Sequence, residues 1–142
     1  MKTALSLVVL AHFLVSYWHG NAHSTLGIQL PLAKNVFVYA VIVAAPIAAA
    51  ILAWAGRLKI GLAIFAASMA GAFVFGAYHH SVLLSPDNVA HLPAGTAAAH
   101  GQFVDSAAVL AILELLAACW GFYALGRETA GVSPASAASS KP

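Results

Sequence analysis

Four long apolar stretches constrain the fold of this chain more than any other feature. The 142 residues include only six Lys or Arg and four Asp or Glu side chains, so long segments carry no charge. A helix that crosses a bilayer needs about 20 mainly apolar residues. The stretches that fit cover residues 3–18, 35–55, 60–84 and 103–125. We predict an all-α integral membrane protein, a compact bundle of four transmembrane helices that forms one domain over residues 1–130.

The overall composition excludes most soluble classes. Hydrophobic residues make up 62% of the chain, whereas about 45–50% is usual for a soluble domain. A protein this small cannot hide the surplus in a core, because small domains leave much of their surface exposed. The net charge of +2 gives no basis for a nucleic-acid partner. We therefore expect the lipid bilayer to be the main surrounding of the protein.

The basic residues predict the orientation, since Lys and Arg concentrate in cytoplasmic loops. With four spans, five of the six basic residues fall on one side, and only Lys34 falls on the other. The five are Lys2, Arg57, Lys59, Arg127 and Lys141. We predict a multi-pass protein of the cell (inner) membrane with both termini in the cytoplasm and the main loops outside it. The small, polar residues 131–142 predict a disordered cytoplasmic tail.

The first stretch has a second interpretation. Residues 1–22 also resemble a secretory signal peptide, with an early lysine and the small residues Gly20 and Ala22 near a possible cleavage site. Against cleavage, the apolar segment is long and ends in Tyr17 and Trp18, which resemble an interfacial anchor. Both interpretations stay open, and the orientation of the other three spans is the same in each.

The histidines are sorted to one side of this topology. Six of the seven fall on the extracytoplasmic side, where neutral imidazoles can bind Zn, Cu, Fe or Ni. We predict a copper or zinc site there. Its core ligands are expected to be His79, His80 and His91, completed by His19, His23 or His100.

Spacing and turn chemistry add detail to this site. His19 and His23 have the i, i+4 spacing that lets two imidazoles on one helix bind one ion, although Gly20 and Asn21 between them disfavour a helix. The sequence SPDN after His80 favours a turn that would bring His91 back. Asp87 in this turn and Asp105 at the start of the fourth span are expected to orient imidazoles by hydrogen bonding.

Two ionisable residues lie deep inside predicted spans. His12 is in the middle of the first span and Glu114 is at a similar depth in the fourth. Because unpaired charges are costly inside a bilayer, we predict that the two are partners. The pair is either a structural hydrogen bond or part of a proton or cation path.

Two function classes follow, and neither is a soluble-type enzyme. No G-x-S-x-G, H-E-x-x-H or P-loop motif is present, so an enzymatic role is uncertain and not favoured. The first class is a membrane protein that binds or transfers copper or zinc. The second is a non-catalytic subunit or assembly factor of a larger membrane complex, with structural histidines and either membrane-protein partners or further copies of the chain. Haem binding by His12 with His79 or His80 is a lesser alternative.

Overall fold

The computed structural model describes residues 1–130, and these are helical without strands. Four helices are long and apolar enough to cross a membrane. They are α1 (Lys2–Thr25), α2 (Leu32–Trp54), α3 (Leu58–Val82) and α4 (Ala97–Ala130). The expectation of four long apolar helices is confirmed. The tail expected at residues 131–142 lies outside the described residues.

Close packing of α3 against its neighbours forms the centre of the bundle. A Cβ atom at Gly61 would lie 2.6 Å from the backbone oxygen of Ala49, so only glycine allows α2 and α3 to approach this closely. Gly121 of α4 packs in the same way against Phe65 and Ala66. Small residues at helix contacts are typical of membrane bundles, where van der Waals packing replaces the hydrophobic effect.

Helix α2 changes its winding before its proline. Residues Val38–Ala44 form a π-helical segment, and Pro46 follows it. A proline ring has no N–H to donate and clashes with the carbonyl four residues earlier, which is that of Ile42, and local π-helical winding accommodates both effects. The C-terminal half of α2 contacts α1 and α3, whereas its N-terminal half contacts α3. The N-terminal half of α2, which we call its outer half, therefore stands away from α1.

Helix α1 continues beyond the predicted end of the first span at Trp18. It runs to Thr25, although Gly20 and Asn21 lie in this part. Ser24 and Thr25 donate side-chain hydrogen bonds to the carbonyls of Gly20 and Asn21. In addition, the end of the helix buries apolar side chains against the start of α4, in a cluster of Ala22, Leu26, Ile28, Ala99 and Phe103. Tertiary packing thus outweighs the local preference against a helix.

Large apolar side chains cover the outside of the bundle. Those with more than half of their surface exposed include Leu7, Leu14, Val74, Ile112 and Leu116. An exposed apolar surface of this extent marks a protein that contacts lipid or other proteins. Together with the four apolar helices, it suggests a membrane protein.

Candidate metal centre

Three imidazoles converge at one end of the bundle, and we call them the histidine cluster: His19 and His23 of α1 and His80 of α3. One ring nitrogen from each lies within 4.8 Å of the others. The Nε2 atom of His19 is 3.1 Å from Nε2 of His23 and 3.2 Å from Nε2 of His80. The cluster is therefore compact enough for one ion to reach all three rings.

The local winding of two helices builds this arrangement. Because α1 stays helical to Thr25, the i, i+4 spacing places His19 and His23 on one face. Helix α3 ends in a π-helical segment, Tyr78–Val82, in which Leu83 N–H donates to Tyr78 O, five residues back. A π-helical turn shifts the register of side chains relative to an α-helix, and such turns are frequent at functional sites. This segment carries His80 towards α1.

The partners of the Nδ1 atoms bear on the tautomers of two rings. His80 Nδ1 donates a hydrogen bond to the backbone oxygen of Asp87 at 2.8 Å. His19 Nδ1 lies 2.8 Å from Oγ of Ser106, whose hydroxyl donates to Phe103 O. When the hydroxyl proton is used there, the serine oxygen accepts from His19 Nδ1–H. Both imidazoles then have a lone pair on Nε2, the form in which histidine binds a metal.

This assignment leaves lone pairs inside the cluster without a hydrogen-bond donor. The two Nε2 lone pairs of His19 and His80 face each other at 3.2 Å, where neither can donate. His23 can donate one hydrogen bond to His19, which leaves His80 without a donor, and His23 Nδ1 is itself buried with no partner. A shared proton satisfies one nitrogen–nitrogen contact. A metal ion satisfies all three Nε2 atoms at once.

The nitrogen separations also fit a bound ion. Metal–imidazole bonds of about 2.0–2.1 Å place neighbouring ligand nitrogens about 2.9–3.4 Å apart, for angles from a right angle to the tetrahedral value. The distances of 3.1 and 3.2 Å lie within this range. A haem iron instead needs its two axial nitrogens on opposite sides, about 4 Å apart. These two separations are therefore compatible with a single bound metal ion.

A buried carboxylate adjoins the cluster. Asp87 is 3% exposed, and neither of its carboxylate oxygens has a hydrogen-bond partner. Its Oδ1 lies 3.3 Å from His23 Nε2 and 3.4 Å from His80 Nδ1. Burying an ionised carboxylate is costly unless a positive charge is near. A cation held by the three imidazoles would supply that charge.

The SPDN turn holds Asp87 in this position. Asn88 N–H donates to Ser85 O within the turn, and the Asn88 side chain donates to Leu83 O. Val89 N–H then donates to the backbone oxygen of His80. The turn chemistry seen in the sequence thus returns the chain to α3, with Asp87 next to the cluster.

The structure does not bring the other predicted ligands into the cluster. His79 lies 2.9 Å from Phe75 O through its Nδ1 and packs on the Phe75 ring. His100 Nε2 lies 2.8 Å from Pro93 O. His91 is exposed in the loop after α3, and Asp105 is exposed on α4.

Two α4 residues contribute to the site, although the sequence analysis did not identify them. Phe103 packs against the rings of His19, His23 and His80. Ser106, fully buried, accepts from His19. The one available sign was that Ser106 is a polar residue near the start of a span and lies eight positions before Glu114, on a similar face of the helix.

The buried pair of α1 and α4 lies deeper in the bundle. His12 Nε2 is 3.1 Å from Glu114 Oε1, and both residues are buried. They are the two residues that sequence reasoning paired. The contact links α1 to α4 in the apolar interior, where each group would otherwise lack a partner.

We expect His12→Leu to lower the free energy of unfolding by about 1–3 kcal/mol, because it leaves a buried carboxyl group without its partner. The double variant His12→Leu/Glu114→Leu is expected to recover most of this loss, since both polar groups are then gone. Unfolding of detergent-solubilised protein by SDS titration measures the effect. Phe13→Leu, at an exposed neighbouring position, is the matched control. A double variant less stable than the single one would show that the pair is not the cause.

Comparison of the chain with known protein families, with curated proteins and with solved structures finds no match. The geometry of the site therefore carries the functional argument.

Proposed function

We propose that this chain is a multi-pass membrane protein that binds a transition-metal ion, copper or zinc, at the histidine cluster. The observation that carries the proposal is the set of three Nε2 atoms with separations of 3.1 and 3.2 Å, two of them left with lone pairs by their Nδ1 contacts. With the Nδ1 hydrogens placed on Ser106 and Asp87, an arrangement without an ion leaves these acceptors facing one another. A divalent ion would bind these lone pairs and offset the negative charge of the Asp87 carboxylate.

The donor set supports copper or zinc over harder ions. Imidazole nitrogens suit Zn and Cu, whereas Mg and Ca prefer oxygen ligands. The only cysteine, Cys119, is outside the histidine cluster, so no thiolate is present to favour Cu⁺. Cu²⁺ binds such sites more tightly than Zn²⁺ in general. In a cell, metal availability decides between the two.

Partial access to solvent supports exchange of the ion. The side chains of His23 and His80 are 13% and 14% exposed, while His19 is buried beneath them. An ion can therefore enter past the two partly exposed rings and be bound by all three. This suits a protein that captures an ion and passes it on, because a fully enclosed site would release its ion slowly.

The position of the cluster supports an extracytoplasmic site. His19, His23 and His80 lie towards the C-terminal ends of α1 and α3, at the end of the bundle opposite the loop with Arg57 and Lys59. Because Lys and Arg concentrate in cytoplasmic loops, we expect that loop to face the cytoplasm, together with the N-terminus of α1 and the C-terminus of α4. The ion then comes from outside the cytoplasm.

We expect a His19/His23/His80→Ala variant to lose the bound metal. The wild-type chain, purified in detergent and exposed to Cu²⁺ or Zn²⁺, should keep about one ion per chain after desalting, and the variant almost none. Because protons compete for the imidazoles, retention should fall as the pH is lowered. Metal analysis of the desalted protein provides the measurement.

The chain supplies a matched control, His79/His91/His100→Ala, which removes three imidazoles that lie outside the cluster. This variant should keep the ion. Equal retention by both variants would remove the basis of the proposal. If the wild-type protein keeps no ion, the histidines are structural, and a search for co-purifying subunits of a membrane complex becomes the next step.

The carboxylate of Asp87 should strengthen metal binding from beside the ligands. We expect Asp87→Asn to weaken the affinity about 10- to 100-fold, the usual range for the groups around a metal's ligands, because it removes a buried negative charge 3.3 Å from His23 Nε2. Competition with a chelator of known affinity measures it. Asp105→Asn, at an exposed acidic position on α4, should leave the affinity unchanged. An equal effect of the two substitutions would exclude a specific role for Asp87.

Single-cysteine labelling tests the orientation in the membrane. In a Cys119→Ser background, a membrane-impermeant maleimide should label His91→Cys in intact cells, and should label Arg57→Cys only after the membrane is opened. Both residues are exposed in loops at opposite ends of the bundle. The reverse labelling pattern would place the histidine cluster on the cytoplasmic side.

A further inference from the structure

A large cavity extends from the histidine cluster into the bundle. Its volume is about 1000 Å³, and its lining includes His19, His23, His80, Asp87 and Glu114. A water molecule occupies about 30 Å³ of liquid, so an ion with its waters fills a small part of this space. Sites for small organic molecules have volumes of about 300–1,000 Å³. The cavity is therefore the size of an organic ligand site.

The cavity walls are mainly apolar, and the imidazole and carboxyl groups among the lining residues lie at two levels, with Ser16 of α1 between them. The walls include Phe13 of α1, Ile42 and Val43 of α2 and Leu110 of α4. The outer end carries the histidine cluster and the inner end carries Glu114. Along α4, Ser106 contacts the cluster, and the eight residues from there to Glu114 cover about 12 Å. These walls fit a molecule that is apolar along its length and polar at its end.

Both π-helical segments contribute residues to the lining of the cavity. Val38–Ala44 forms one wall, and Tyr78–Val82 presents His80 to the same space. The outer half of α2 contacts α3 and stands away from α1, which leaves the cavity between these helices. Exposed Tyr17 and Tyr39 line it as well. Entry therefore runs between two apolar helices, a route that favours a molecule dissolved in lipid.

The cluster also leaves room at the metal. Three imidazoles supply three ligands, and metal sites with three protein ligands keep a further position for an exogenous one. Asp87 Oδ1 lies 3.3 Å from His23 Nε2 and 3.4 Å from His80 Nδ1. Among the described residues, however, only the three histidines have ligand atoms that all lie within 4.8 Å of one another, so Asp87 is not a fourth member of the cluster. The remaining direction is the cavity, which all three imidazoles line.

We propose that the metal centre keeps an open coordination position towards this cavity, and that a lipid-soluble molecule with a nitrogen or oxygen donor at one end binds there. The proposal rests on the metal site of the proposed function. The donor coordinates the ion at the histidine cluster, and the apolar part lies along α2 and α4 towards Glu114. The protein then joins an extracytoplasmic metal ion to a ligand from the bilayer.

Titration of the full-length, Cu²⁺-loaded protein with 1-methylimidazole and 1-butylimidazole tests this proposal. The visible absorption and the electron paramagnetic resonance of Cu²⁺ report coordination, and dialysis gives the free ligand concentration. Three further methylene groups buried in the cavity should strengthen binding about 30- to 60-fold. Copper analysis after the titration shows that the ligand has not removed the ion.

Gly76 provides a variant that fills the cavity. A Cβ atom there would meet only His80 Cδ2 at 3.8 Å and Glu114 Oε2 at 3.9 Å, so a side chain fits and occupies the space between them. Gly76→Leu should keep copper and lose the preference for the butyl chain. Ala111→Leu, at another lining position, is a second test. Gly126→Leu, where a Cβ meets open space outside the cavity, should keep the preference.

The outcomes separate the two proposals. Equal affinity for the two imidazoles, or a butyl preference unchanged in both Gly76→Leu and Ala111→Leu, overturns the cavity proposal while the metal site stands. Failure of the wild-type protein to keep either Cu²⁺ or Zn²⁺ before any imidazole is added overturns the proposed function and the cavity proposal with it.

Discussion

A polar group inside an apolar helix bundle must find its partner within the protein, and this requirement shapes the interior of the structure. His12 and Glu114 satisfy it by meeting each other across α1 and α4. The histidine cluster satisfies it only in part, because His19 and His80 use their Nδ1 hydrogens on neighbouring oxygens and keep facing lone pairs. The same rule that explains the first pair is therefore the basis of the metal site that we propose at the histidine cluster.

The four helices could be predicted from the sequence because long apolar runs in a nearly uncharged chain have few other uses. The pairing of His12 with Glu114 could be predicted for a similar reason, since few ionisable residues lie deep in the spans and each needs a partner. The choice of histidines could not be made in this way. His79 and His80 are adjacent, and which of them faces α1 depends on the π-helical winding at Tyr78–Val82, which no residue pattern in the segment reveals.

The end of α1 gives the second reason why the site was harder to predict than the fold. Gly20 and Asn21 weaken the local preference for a helix, and the i, i+4 pair of His19 and His23 depends on that helix. The packing of Ala22 and Leu26 against Phe103 of α4 keeps the segment helical. This contact joins residues far apart in the sequence. Local patterns alone therefore could not show that His19 and His23 would face the same ion.

The location of the cluster gives metal binding a mechanical consequence. Helices α1 and α3 both pack against α4, while the histidine cluster and Asp87 connect α1 directly to the end of α3. An ion bound there ties these ends together over Phe103, which touches all three rings. The outer half of α2 takes no part in this tie, since it contacts α3 along another side. A metal bound as proposed would thus stabilise the wall of the cavity formed by α1 and α3, whereas the wall formed by α2 lies outside this connection.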